Sequence, residues 1–270
     1  MQTIKAYVKK FDENGYLLLK GFFSKKLCKE IKEYSKKLKP KVNIPFSKIG
    51  YGYGNLYNIG PIKKINEDIE LNKLIKAILK SNYVFNHIML ANKHRWIGPD
   101  TELHQEIFNV NTFAPGANPK RDWKKFIQIF IPIDDHKEGS GRLRIFPSSH
   151  KMGQLKHEDC VNSLLGHKRR VTLKDIDKVY RKFNFKKLSL DGGDLLIFNT
   201  RLVHGSPSNL SNNERMSLVG QVRHSSIKFN KRVFEKECNY RSKVVQDYLL
   251  QKLKTLNMNN IYKDFKKNEN

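Results

Sequence analysis

Residues 125–133 read KFIQIFIPI, and both faces of this stretch are apolar. Ile127, Ile129, Ile131 and Ile133 alternate with Phe126, Gln128, Phe130 and Pro132. Successive side chains of a strand point to opposite sides, so this strand needs cover on both of them. It must therefore lie inside the fold rather than on its surface. Gln128 is then a buried amide that needs partners, either backbone groups or a ligand in a cavity.

Around this strand the pattern changes once along the chain. The first part predicts helices. Residues 4–15 read as a helix and a Gly-containing turn, followed by a strand at 16–19. A helix runs from Ser24, a good N-cap, to about Leu38, with Leu27, Ile31 and Tyr34 at helical spacing. Another covers 66–81, with Leu71, Leu74, Ile75 and Leu79 on one face. From Val84 the texture becomes strand-like, at 84–90, 103–113, 125–133, 143–146, 194–199 and 216–224. Residues 154–185 form a polar, Lys-rich insertion of weak helical character, and a loop of that length often lids a site. The reading is one domain over 1–270, mainly β with flanking helices. Its N-terminal helices span about 1–82, its barrel core about 84–224, and a C-terminal helix about 234–256.

The formal net charge of +26 favours acidic partners. The basic residues are scattered in short runs, such as His167-Lys168-Arg169-Arg170, and no nucleic-acid-binding motif accompanies them. We therefore expect a lysine-rich solvated surface and no specific nucleic-acid partner. Cys28, Cys160 and Cys238 are distant and odd in number, which argues against a disulfide framework. The first residues lack the apolar core of a signal peptide, and no run is long enough to span a bilayer. The expectation is a soluble, cytoplasmic protein of undefined oligomeric state.

His104 and Glu106 lie two apart, so on a strand they reach into one space together. Two histidines and one carboxylate on one side of a metal make up the facial set of non-haem Fe(II) oxygenases. His204 is the candidate third ligand, just past the strand at 194–199, followed by Gly205, which permits close approach. Arg215 comes eleven residues later and could hold a carboxylate by a two-pronged hydrogen bond. Ser206 could donate to the same carboxylate. Arg144 alternates with Leu143 and Ile145, which would turn it into the barrel towards an anionic substrate. The other polar residues read more plainly. His150 caps or packs, His136, His157 and His167 are solvated, and Arg201 and Arg223 are surface charges.

With these pieces in order, the chain resembles the phytanoyl-CoA dioxygenase family of Fe(II)- and 2-oxoglutarate-dependent oxygenases over about residues 16–224. The resemblance rests on His104-Gln105-Glu106 and on Asp134-Asp135 followed by residues 141–151, GRLRIFPSSHK. It rests also on residues 193–198, GDLLIF, leading to His204-Gly205-Ser206 and Arg215. It implies a double-stranded β-helix (jelly-roll) barrel with His104, Glu106 and His204 on iron. Arg215 and Ser206 would hold the far carboxylate of 2-oxoglutarate, and Met89 and Phe130 would line the cosubstrate pocket. Gln128 faces the same way as Phe130. The implied reaction consumes O2, converts 2-oxoglutarate to succinate and CO2, and hydroxylates an unactivated C–H of a small or carrier-linked metabolite. The family usually has Asp where this chain has Glu106. A carboxylate is retained, which argues against a halogenase, whose Gly or Ala there would leave room for halide. The alternative is a non-catalytic β-barrel that binds a metal or an anion.

Overall fold

The doubly apolar strand sits where its pattern requires. The computed structural model describes residues 3–38, 56–96, 100–110, 117–159 and 169–228, with isolated positions besides. In it, β4 (Phe126–Pro132) is buried at every position. It forms the middle of a five-stranded antiparallel sheet with β1 (Tyr16–Leu19), β2 (Tyr83–Lys93), β9 (Leu195–Asn199) and β11 (Arg215–His224), in the order β1-β9-β4-β11-β2. One face of β4 presents Ile127, Ile129 and Ile131 to a helical layer, where they join Phe11, Ile31, Leu71 and Ile75. The other face presents Phe130, which clusters with Leu196, Phe198, Leu143 and Ile145. Each fully buried aliphatic side chain contributes about 1.5–3 kcal/mol, so neither face of this strand tolerates exposure.

The helical layer forms from local signals. α1 (Ile4–Asn14) starts at Thr3, whose side chain accepts from the Ala6 N–H, and stops at Gly15, which takes the left-handed φ of 76°. α2 (Lys25–Ser35) is capped by Ser24, with the Leu27 N–H donating to its Oγ at 3.1 Å. After the short α3 (Lys63–Asn66), α4 (Ile69–Leu79) is capped by Asp68 and buries Leu71, Leu74, Ile75 and Leu79.

A second antiparallel sheet faces the first. It contains β3 (Thr101–His104), β5 (Arg144–Ile145), β8 (Lys186–Lys187) and β10 (His204–Ser206), in the order β3-β10-β5-β8. The Leu143 and Ile145 side chains close onto Phe130 and Phe198 of the large sheet, so the two sheets share an interior. This is the jelly-roll, double-stranded β-helix architecture with flanking helices.

Several local expectations shift. The strand expected over 103–113 ends at His104, and Glu106–Asn109 is a 3-10 turn. The described residues of the insertion hold more regular structure than its polar composition suggests. It holds the hairpin β6 (His157–Asp159) and β7 (Arg169–Val171), then α5 (Leu173–Lys182). Val171 and Val179 anchor it on Phe146 and Val203. The expected C-terminal helix lies outside the described residues, apart from Lys236. No helix among the described residues is long and apolar enough to cross a membrane.

Candidate metal centre

β3 and β10 pair so that His104 and His204 are Cα partners. Their rings lie 4.2 Å apart between centroids, and both side chains are buried. Between the two strands Gly205 leaves the room that this approach needs. A Cβ there would sit 2.6 Å from the Thr101 carbonyl oxygen. Glu106 arrives from the first position of the 3-10 turn rather than from a strand. Its longer side chain brings Oε1 to 3.2 Å from His104 Nε2 and 3.7 Å from His204 Nε2. One ligand atom from each of the three residues can be chosen so that all lie within 4.8 Å of one another.

Hydrogen bonding sets the state of both rings. His104 Nδ1 faces the Glu102 carbonyl at 2.7 Å, and His204 Nδ1 faces the Leu202 carbonyl at 3.0 Å. A carbonyl only accepts, so each Nδ1 carries the hydrogen, and a ring in this tautomer turns its Nε2 lone pair inward. Burial first, and His104 second, push the His204 pKa below its ordinary value, which favours the neutral ring. Two lone pairs then converge on a carboxylate oxygen. Such an arrangement calls for a cation among them, and ligand atoms on an octahedral first-row ion are about 3 Å apart. The donor set fits a divalent metal with an open side.

Gln105, between two of these residues, points the other way and fixes the turn. Its Nε2 donates to the Arg201 and Gly153 carbonyls at 2.6 and 2.9 Å, and its Oε1 accepts from the Leu155 N–H at 2.8 Å.

The inner face of the large sheet can be followed row by row. Gln221 pairs with Gln128 and His87, Val219 with Phe130 and Met89, Ser217 with Pro132 and Ala91, and Arg215 with Lys93. Phe198 pairs with Gln128, and its ring touches His204 at 4.7 Å between centroids. The histidines thus stand near the Gln128 row. Arg215 is buried three rows away and donates from Nη1 to the Gly141 carbonyl. Ser206 is buried two residues beyond His204 on the same face of β10. Gln128 is buried, and its Oε1 has no hydrogen-bond partner among the described residues. Met89 and Phe130 line the row between.

Arg144 stands apart from this set. It pairs with Gly205, whose neighbours His204 and Ser206 face the interior, so Arg144 lies on the outer face of the small sheet. Its guanidinium sits over the Phe185 ring of the insertion, 5.9 Å from the centroid. Alternation with two apolar residues was sound, but those two take the inner face.

Some polar residues that read as solvated are interior. His136 is 2% exposed, its Nε2 is 3.2 Å from Ser217 Oγ, and its ring meets Phe130 edge-on. Burial, then Arg215 and Lys93, push its pKa well below the ordinary value. Arg201 is buried over Trp123 and donates to the Pro119 and Lys120 carbonyls. His150 packs beneath Gly15 and donates from Nε2 to the Asp12 carbonyl at 3.1 Å, as its packing role requires. Lys93 was missed altogether, since the strand was expected to end at Leu90. Continuing the alternation His87, Met89, Ala91 by one step would have found it.

Comparison with known proteins follows this geometry. The family model for phytanoyl-CoA dioxygenase (PhyH) matches residues 11–217. The chain is 24% identical over 184 residues to the phytanoyl-CoA dioxygenase domain-containing protein 1 homolog of Dictyostelium discoideum. That match covers 68% of this chain and 60% of the relative, so the chain spans somewhat under two thirds of that protein. Among solved structures, it is similar to EctD from S. alaskensis with 2-oxoglutarate and 5-hydroxyectoine, with a TM-score of 0.66 and 14% identity over 85% of this chain and 78% of that one. It is also similar to the epimerase SnoN in complex with Fe3+, alpha ketoglutarate and nogalamycin RO. There the TM-score is 0.64 with 11% identity over 84% of this chain and 86% of that one. Likeness at this level of identity speaks for a shared fold.

Proposed function

We propose, from the premise that the chain belongs to the phytanoyl-CoA dioxygenase (PhyH) family, that it is an Fe(II)- and 2-oxoglutarate-dependent dioxygenase hydroxylating a small or carrier-linked metabolite. The observation that carries this reading is the convergence of His104, Glu106 and His204, with buried Arg215 at the far end of the same interior.

His104 Nε2, a Glu106 carboxylate oxygen and His204 Nε2 would hold the metal on one side. Their Nδ1–H bonds to the Glu102 and Leu202 carbonyls lock the rings in orientation and tautomer. Bound iron with 2-oxoglutarate would supply the activation of O2 that couples formation of succinate and CO2 to oxidation of a substrate C–H. Arg215, with the Ser206 hydroxyl, would bind the far carboxylate of the cosubstrate and set its direction. Met89, Val219 and Phe130 would line the chain between its two ends, and their apolar row excludes water there. Gln128 would offer its amide beside the reacting atoms. Arg144, on the outer face beneath Phe185, would meet an anionic substrate only through the insertion. A small-molecule substrate of anionic character, and a cytoplasmic location, are parts of this reading that rest on charge and cysteine usage.

The test is turnover. Purified protein with Fe(II), O2 and 2-oxoglutarate is screened against a metabolite panel for succinate release. Substrate-stimulated succinate that vanishes in His204→Ala supports the reading. Tight metal or anion binding without turnover on any compound would favour the non-catalytic barrel instead, and absence of metal binding would end the oxygenase reading.

A further inference from the structure

We propose that Lys93 is a second cationic anchor for the cosubstrate, holding its far carboxylate together with Arg215. This rests on the cosubstrate reading above.

Lys93 ends β2 and is the Cα partner of Arg215, the first residue of β11. Paired residues share a face. That face is the interior, because Ser217, two residues along from Arg215, meets His136, which packs on Phe130. Lys93 is 2% exposed. Its Nζ crosses to the small sheet and donates to the Ser206 carbonyl at 3.3 Å and the Pro207 carbonyl at 2.7 Å. Protonated, as beside a bound carboxylate, it has three N–H donors, so two carbonyls leave one for that acceptor.

No carboxylate bonds to Lys93 among the described residues. Asp100 attracts it only through space, while Arg215 and Arg144 repel it. Burial, with Arg215 next, pushes its pKa well below the ordinary lysine value. Two basic groups held as strand partners in a buried interior are unfavourable unless an anion joins them. Ser206, whose carbonyl receives Nζ, is itself buried, so Lys93, Arg215 and Ser206 are gathered at one end of the two sheets. A monovalent carboxylate entering between Lys93 and Arg215 would relieve the repulsion and accept from both. The competing view is a structural brace, in which Lys93 merely ties β2 to the Ser206–Pro207 backbone.

The two views separate when the ligand's tail is changed. With Mn(II) in place of iron, calorimetry compares 2-oxoglutarate with 2-oxopentanoate, which has the same chain without the far carboxylate. For Lys93→Met we expect 2-oxoglutarate affinity to fall about thirtyfold or more, from loss of a charge-assisted hydrogen bond, with 2-oxopentanoate changing less than about threefold. Lys93→Gln, which keeps donors for the two carbonyls, should show the same selective loss and serves if the Met variant does not fold. Equal losses for both ligands, or none, would overturn the assignment of Lys93 alone. Wild-type protein that binds Mn(II) but prefers neither acid would overturn the cosubstrate reading itself.

Discussion

His104 and His204 are cross-strand neighbours, paired Cα to Cα on β3 and β10 with their ring planes tilted by 53°. They come together only because two strands from distant parts of the chain pair at this register. Each Nδ1 is spent on a carbonyl, and each Nε2 turns to the space shared with Glu106.

Replacing either ring by Ala should lower Fe(II) or Mn(II) affinity by roughly a hundredfold or more, since first-sphere loss exceeds the 10–100-fold cost of disturbing outer partners. Competition against a chelating dye measures it. Metal at about a hundred times the wild-type Kd should also stabilise the wild type by about 2.7 kcal/mol and the variants by no more than about 0.4 kcal/mol. Undiminished affinity in both variants would reject the assignment.

Glu106 supplies the negative charge of the set. Glu106→Gln keeps its shape but offers only an amide oxygen, so metal affinity should fall by more than about tenfold. Glu106→Asp restores the charge but shortens the reach from a 3-10 turn, so it should fall between Gln and wild type. A Gln variant that binds as the wild type does would mean the carboxylate is not a ligand.

Gly205→Ala tests the strand contact itself. The new methyl would meet the Thr101 and Glu102 carbonyl oxygens at 2.6 and 3.1 Å, and both are backbone atoms that yield little. The cost should be about 1–3 kcal/mol of stability, as for other overpacked sites. Because the Glu102 carbonyl also orients His104, metal affinity should drop with it. Denaturant unfolding and metal titration on the same sample check both; full retention of stability and affinity would contradict the close approach.

His136 gives a pH prediction. Its folded pKa lies well below the unfolded value of 6.5, so the unfolded chain binds more protons as the pH falls through 6.5. Stability is therefore fully present above that value and declines below it, towards the folded pKa, by at most about 1.4 kcal/mol per pH unit. His136→Gln should flatten this part of the profile in urea unfolding. Identical slopes would return His136 to the solvated group its sequence context suggests.

Much of the site was legible because its chemistry depends on residue type and short spacing. His104, Glu106, His204 and Arg215 stand out as a metal-ligand set with a cation for an anion. The alternation in β4 likewise showed that both of its faces are buried. The misread parts share another property. Glu106 leaves the strand because the chain turns after His104, a turn secured by Gln105 bonding to three backbone groups far away in the chain. Arg144 lies outside because Leu143 and Ile145 win the interior. The hairpin β6–β7 forms on a surface that only the assembled small sheet supplies.

By itself, the amino-acid sequence determined which segments could be strands or helices, where caps and left-handed turns fall, and which side chains could bind a metal. Those are consequences of local sterics, alternation and side-chain chemistry. Only the tertiary structure decided that Lys93 would be buried against Arg215, that His136 would lie inside the barrel, and that Arg144 would not. The physical reason is register: pairing between strands far apart along the chain is set by closing two sheets on one interior. A single-residue slip there would turn every one of these side chains to the opposite face.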